Sequence, residues 1–160
     1  MANELRSQGT ELWMVDNVTV PATPALVKIG NITNLGDFGA EASDIDTTNL
    51  DSLARESING LADNGTFDFT VNLDPKSVAH KLMVGQTLTA NNFTFYIGLS
   101  DGTAPPTLSG STLTVPAARS GAKFTGSVKR FKPNAGGIDG LVTVPASIKV
   151  SGAVAYTWKP

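Results

Sequence analysis

Apolar and polar residues alternate along most of this chain, and the alternation marks out strands. Residues 11–20, ELWMVDNVTV, read as a first strand. After Pro21 and Pro24, ALVKIGNITNLG reads as a second, ended by Gly36 and Gly39. Over 40–49, Asp44, Asp46 and Thr48 fall on one face and Ser43, Ile45 and Thr47 on the other, so this strand has no strongly apolar side. At 66–73, Phe67, Phe69, Val71 and Leu73 alternate with polar residues, the signature of a half-buried strand. A strand at 92–99 puts Phe93, Phe95, Ile97 and Leu99 on one face. One at 119–132 turns Ala122, Phe124, Gly126 and Val128 inward. Phe131 then has the wrong parity, and a bulge near Lys129-Arg130 would restore it, because one extra residue flips every later side chain. The closing strands, LVTVPASIKVSGAVAYTW, read as two, parted at Pro145-Ala146.

One helix interrupts the strands. Asp74 is placed to cap it and Pro75 to open it, Val78, Ala79, Leu82 and Met83 supply its apolar stripe, and Gly85 ends it, giving a helix over 75–84. Between the strands at 40–49 and 66–73 the alternation stops over 50–62, although Asp63-Asn64-Gly65 offers a two-residue turn able to reverse the chain. The insert 50–62 therefore reads as a long loop serving something other than reversal. It scatters Leu50, Leu53, Ile58 and Leu61 among Asp51, Arg55 and Glu56.

Sixteen glycines and nine prolines among 160 residues suit many short strands joined by turns, and the length suits one domain over 1–160 with a core of its own. The 12 basic residues against 14 acidic argue against a sequence-independent nucleic-acid binder. The sequence has no cysteine, which removes disulfides, thiolate nucleophiles and zinc thiolates together and suits a reducing cytoplasm. No basic segment followed by an apolar one opens the chain and no apolar run approaches a bilayer's thickness, so neither a signal peptide nor a membrane span is expected.

The candidate chemistry is thin. Gly98-Leu99-Ser100-Asp101-Gly102 matches the G-x-S-x-G nucleophile elbow, but Thr103-Ala104-Pro105-Pro106 follows where a helix is required, and the one histidine, His80, lies upstream. A turn after a strand is the better reading, with His80 a partly exposed helix residue. Asp44, Asp46 and Asp51 form a loose acidic cluster without the spacing of a calcium loop, so no metal, cofactor or catalytic residue is assigned. Four N-x-[ST] sequons, at Asn17, Asn31, Asn64 and Asn92, carry no expectation of glycosylation without a signal peptide.

Charge is segregated along the chain. Residues 37–74 hold nine acidic residues against Arg55 alone, whereas 119–160 holds Arg119, Lys123, Lys129, Arg130, Lys132, Lys149 and Lys159 against Asp139. On different faces these segments would attract copies head to tail; within one sheet they would neutralise each other.

The stretch GNITNLGDFGAEASDIDTTNLDSLARESINGLADNGTFDFTVNLD resembles the major tail tube proteins of long-tailed phages. The resemblance rests on Ile45-Asp46, Thr48 and Leu50-Asp51-Ser52, then Gly60-Leu61, Asp63 and Gly65; the rest of residues 11–160 agrees in element order. It implies a small β-sandwich or barrel with one short helix. It also implies six-membered rings whose inner strands join into a β-barrel, stacked into a hollow tube that passes DNA without binding it specifically. By the same resemblance the partners are further copies of the chain, a tape measure protein, a tail terminator and distal tail proteins. The place would be the virion tail, assembled in the host bacterial cytoplasm.

On this reading Asp44, Asp46 and Thr48 face the channel or a ring neighbour. Leu50, Asp51, Leu53, Arg55, Glu56, Ile58 and Leu61 contact the next ring, and Lys123, Lys129, Arg130 and Lys132 form the complementary basic surface. The alternatives are a tube protein of a contractile, type VI-like injection machine, and a secreted carbohydrate-binding or adhesive β-sandwich. The latter would favour a signal peptide and clustered exposed aromatics.

Overall fold

In a computed structural model, residues 4–160 except Val20 are described. In chain order they form β1 (Glu11–Asp16), β2 (Ala25–Ile29), β3 (Ile32–Leu35), β4 (Glu41–Asp46), β5 (Ser57–Asp63), β6 (Thr66–Asn72), α1 (Val78–Gln86), β7 (Asn92–Gly98), β8 (Thr107–Ser109), β9 (Thr112–Thr114), β10 (Gly121–Phe131) and β11 (Thr143–Thr157). Seven strands make one antiparallel sheet in the order β2-β1-β7-β10-β11-β6-β3, while β4–β5 and β8–β9 pair only within themselves.

The shape follows from one link. The sheet's opposite edges, β2 and β3, are joined by Gly30 and Asn31 alone. Laid flat, edges six spacings apart would stand about 29 Å from each other, yet Ile29 and Ile32 are separated by at most about 11 Å of chain. The sheet must therefore curl into a half-barrel. This link also divides the single strand expected over 25–36: Asn31, at φ 57°, takes a left-handed conformation that no strand continues through.

The concave face holds the core. Leu12, Met14, Phe69, Phe95, Phe124, Val144 and Ile148 meet there, and Ala79 and Met83 of α1 pack among them. Because side chains alternate, the neighbours of these residues point outward. On β1 and β7 those are Trp13, Val15 and Tyr96, also apolar, and they are covered by Leu108 and Leu113 of the β8–β9 hairpin. That hairpin's three-residue strands are too short to show a period in the sequence.

Four expectations are corrected here. The helix spans Val78–Gln86, not 75–84: Asp74 and Pro75 build the preceding turn, with Asp74 accepting from the Lys76 amide, and Ser77 is the cap, its hydroxyl accepting from His80 N. Gly85 weakens but does not end it, and Thr87 closes it by donating to Met83 O at 2.9 Å. Val78, placed in the apolar stripe, is exposed.

His80 is buried, not half exposed; its Nδ1 accepts from Asp74 N at 3.1 Å and its Nε2 lies 3.2 Å from Gly30 O, tying helix to the β2–β3 link. Residues 143–157 form one strand, not two. Pro145 is accommodated because β10 already ends opposite Ala146, so the missing donor breaks no β10–β11 bond. The strand expected over 11–20 stops at Asp16, and Val20 lies outside the described residues. The bulge expected near Lys129-Arg130 is present as a register shift between Val128 and Arg130, and it returns Phe131 to the core.

Candidate functional site

The elbow-like stretch 98–102 sits in a buried knot built around Arg119. The Arg119 guanidinium donates to Glu11 Oε2 at 2.6 Å and to Gly9 O and Gly98 O at 2.8 and 2.9 Å, and its Nε donates to Leu99 O at 2.6 Å. Gly98 is needed for this: a Cβ there would stand 2.7 Å from the guanidinium carbon. Ser100 Oγ donates to Arg6 O at 2.5 Å, and Asp101 accepts from Ser120 N, so both side chains fasten loops. Bonding from Ser120 holds the Asp101 carboxyl below its ordinary pKa. His80 is bonded elsewhere, to Asp74 and Gly30.

Partial burial would raise the Glu11 pKa. Hydrogen bonds and charge from Lys28 and Arg119 outweigh it, and the net shift is downward. Asp16 behaves alike, burial opposing and the Thr19 and Val18 bonds prevailing.

The insert of the sequence is different from its expected form. Residues 57–63 are not loop: they are β5, paired with β4 in a two-stranded arm that leaves the seven-stranded sheet. The reversal occurs over 47–56, and Asp63-Asn64-Gly65 redirects the chain instead of folding it back. Gly65, at φ 55°, turns β5 into β6, its carbonyl accepts from Val150 N at 3.1 Å, and the Asn64 amide donates to Gly152 O. The Asn-Gly pair thus belongs to the β6–β11 ladder.

Every residue of β4 is exposed, and of β5 only Gly60 is partly covered. Asp44 stands opposite Asn59 and Asp46 opposite Ser57, while Ile45 faces Ile58 on the other side. The turn is internally braced: Thr48 N donates to Asp46 Oδ1 at 2.9 Å, Glu56 N to Thr48 Oγ1 at 3.0 Å, and Arg55 reaches Asp46 Oδ2 at 3.4 Å. The Thr48 bonds, with a smaller part from Arg55, hold Asp46 below the usual carboxylate pKa. Leu50 and Leu53 project fully exposed at the tip, and Leu61 and Ile58 are exposed along β5. Asp51, at the tip, is braced by its amide donating to Asn49 Oδ1. Among the described residues no three carboxylates or imidazoles converge as a metal site.

The four basic candidates do not form one patch. Lys129 and Arg130 are exposed at the bulged end of β10 with Lys132 just beyond, whereas Lys123 lies toward the other end, half buried beside Leu113 O. Ion pairs join Lys28 and Arg119 to Glu11 and Arg55 to Asp46; among the described residues none joins the acidic segment 37–74 to the basic segment 119–160. A surface the sequence reading missed is an aromatic row, Phe38 on Tyr156 and Tyr156 on Trp158, with the last two planes within 5° of parallel. Its signal was the same-face spacing of Tyr156 and Trp158.

The described residues form a curled β-sheet subunit from which an extended, partly apolar arm projects. The chain belongs to the phage tail tube family, lambda-like, whose family model matches residues 3–160. It is thus a structural tail tube subunit of the phage virion tail. It is 33% identical, over 94% of its length and 92% of the relative's, to "Structural protein 3" of Pseudomonas phage PAJU2. Its fold is similar to the sheath/tube terminator of the PVC extracellular contractile injection system, with TM-score 0.68, 7% identity and 99% of each chain covered. It is also similar to the SPP1 tail tube, with TM-score 0.63, 9% identity, and 96% of this chain and 79% of that one covered.

Proposed function

We propose that this subunit joins five further copies in a ring, and that the rings stack into a hollow tube through which DNA passes. The observation that carries the reading is the β4–β5 arm, which packs on nothing in its own subunit while presenting Leu50, Leu53, Ile58 and Leu61. Each such side chain gains about 1.5 to 3 kcal/mol when fully buried. Only a neighbouring chain offers that burial, and part of the gain is spent on ordering and association.

The arm is thus the contact to the next ring, with Asp44, Asp46 and Thr48 facing the channel or a ring neighbour and Lys129, Arg130 and Lys132 drawn toward acidic surface on another copy. Lys123 joins them only if a neighbour reaches the opposite end of β10. An acidic channel wall repels phosphate and lets the polyanion slide. The subunit carries out no catalysis. It assembles in the host cytoplasm with a tape measure protein, a terminator and distal tail proteins at the tube's ends.

The sheath/tube terminator of a contractile injection system shares the fold, but the phage relative, at 33% identity over most of both chains, favours the phage tail. Negative-stain micrographs of concentrated subunit test the reading. Long tubes with six-fold end views are expected; dispersed monomers at every concentration would overturn it.

A further inference from the structure

We infer that the arm's tip is received by a cleft at the seam of the half-barrel, on a second copy of this chain. The cleft, of about 480 Å³, lies between the N-terminal segment Leu5–Thr10 and the edge strand β3, with Leu5, Ile32, Leu35, Phe38 and Leu99 as its apolar lining. This inference rests on the tube reading and names the place where the arm docks.

Three observations select the pairing. The cleft is open, lined in part by apolar side chains and large enough for more than one leucine side chain, and Leu50 and Leu53 at the arm's tip have nothing to bury against in their own subunit. The charges agree: the arm from Glu41 to Asp63 carries six carboxylates against Arg55, which is already drawn to Asp46, while the cleft's charged lining residue is Arg6, exposed and in no ion pair among the described residues. Asp51, next to Leu50, is the arm's partner for Arg6.

The third observation is distance. Phe38 lines the cleft and stands three residues before β4, so the cleft lies at the arm's own base. The six residues of β4 carry the tip about 20 Å away from that base, and the β4–β5 ladder holds the arm extended. A subunit therefore cannot fill its own cleft. The same pairing repeated from copy to copy is heterologous and propagates.

Both walls are fixed before any partner arrives. Ser100 holds Arg6 O, Arg119 holds Gly9 O, and Gly36 N donates to Asp68 O at 2.7 Å. The aromatic row of Phe38, Tyr156 and Trp158 continues the surface past the cleft, and tryptophan and tyrosine are enriched where interfaces are strongest.

Because the chain has no cysteine, engineered pairs report contact unambiguously. The experiment oxidises assembled tubes of three variants: L53C with L5C, L53C with I138C on an exposed loop outside the cleft lining, and L53C alone. A ladder of covalent multimers on non-reducing gels is expected only from the first, with L53C alone stopping at dimers at most. Arg6→Glu should lower the tube yield at low salt several-fold while leaving the melting temperature of the subunit unchanged. Tubes that form but yield no ladder with L5C, or yield one equally with I138C, overturn the cleft assignment and leave the tube reading standing. Parent protein that never assembles overturns both.

Discussion

Glu11 and Arg119, far apart in the chain, meet at 2.6 Å where β1 begins, and the arginine is wholly buried while the carboxylate keeps a rim of solvent. The same guanidinium satisfies three carbonyls from Gly9, Gly98 and Leu99. Removing it leaves those three carbonyls without this donor, while Glu11 keeps Lys28 and solvent. Arg119→Met is expected to cost about 3 to 5 kcal/mol, because each buried carbonyl left without a partner costs about 1 to 3 kcal/mol. Glu11→Gln, which leaves the carbonyl bonds in place, should cost clearly less. Urea midpoints at constant slope check both values.

The same pair makes stability sensitive to acid. The folded pKa of Glu11 lies below its ordinary value, so its contribution is fully present above the unfolded pKa and is lost as pH falls through the folded one. Asp16 and Asp101 act in the same direction. The melting temperature should fall steadily below about pH 4.5, and Glu11→Gln should flatten that fall without removing it. A parallel pair of pH curves would show the Glu11 linkage to be absent.

Ser100 and His80, the two residues a hydrolase reading would select, should differ in stability and agree in lacking catalysis. His80→Ala strands the Asp74 amide and the Gly30 carbonyl and opens space beside Phe131, at a cost of about 3 kcal/mol. Ser100→Ala loses one exposed bond to Arg6 O and should cost about 1 kcal/mol or less. Thermal melts separate the two, and a hydrolytic activity abolished by Ser100→Ala would contradict the structural role.

Replacing residues 47–56 with Asn-Gly should give a folded subunit that forms no long tubes. Loop closure varies slowly with length, so the shorter turn should alter stability by about 1 kcal/mol or less, while Leu50, Leu53 and Asp51 are lost together. Circular dichroism melts and micrographs check the two halves. Long tubes from this variant would remove the arm's tip from the assembly contact.

Charge should govern how fast tubes begin. Exposed pairs are worth only about 0.2 to 1 kcal/mol each, but in the proposed assembly they would repeat at every copy. At about 1 M salt the screening length falls to about 3 Å, and early growth followed by light scattering should slow. Lysines at both Asp44 and Asp46 should slow it at low salt too, with the subunit still folded. Growth indifferent to salt would exclude an electrostatic contribution.

The strands with one buried face were legible because a period of two survives in Phe67-Phe69-Val71 and Phe93-Phe95-Ile97, and the β10 bulge was legible because Phe131 broke that period. The arm was half legible. Asp44 and Asp46 revealed a strand without an apolar side, but β5 has no buried position to reveal it, so Ser57–Asp63 passed for loop. Asn64-Gly65 misled because turn chemistry reports a positive φ, not which strands the bend will join. In the sequence Arg119 is one more basic residue of 119–160: nothing local to it signals that Gly9, Glu11, Gly98 and Leu99 converge there. For the same reason Lys123 was grouped with lysines it does not approach.

Sheet order also sets a timetable. The β4–β5 hairpin closes over a short stretch of chain, and hairpins form in about 1 to 10 μs. The body instead pairs Leu12 with Ile97 and Phe69 with Ala146, distant partners of the kind that make β-proteins fold over about milliseconds to seconds. During synthesis, at about 5 to 20 residues per second, the arm emerges well before Arg119, the residue that pins the N-terminal segment to the sheet. A nascent chain therefore presents the residues of the arm before its seat is complete. On the docking proposed above, polymerisation would wait on the completion of each chain, because ribosome-bound subunits would offer one another arms but no seats.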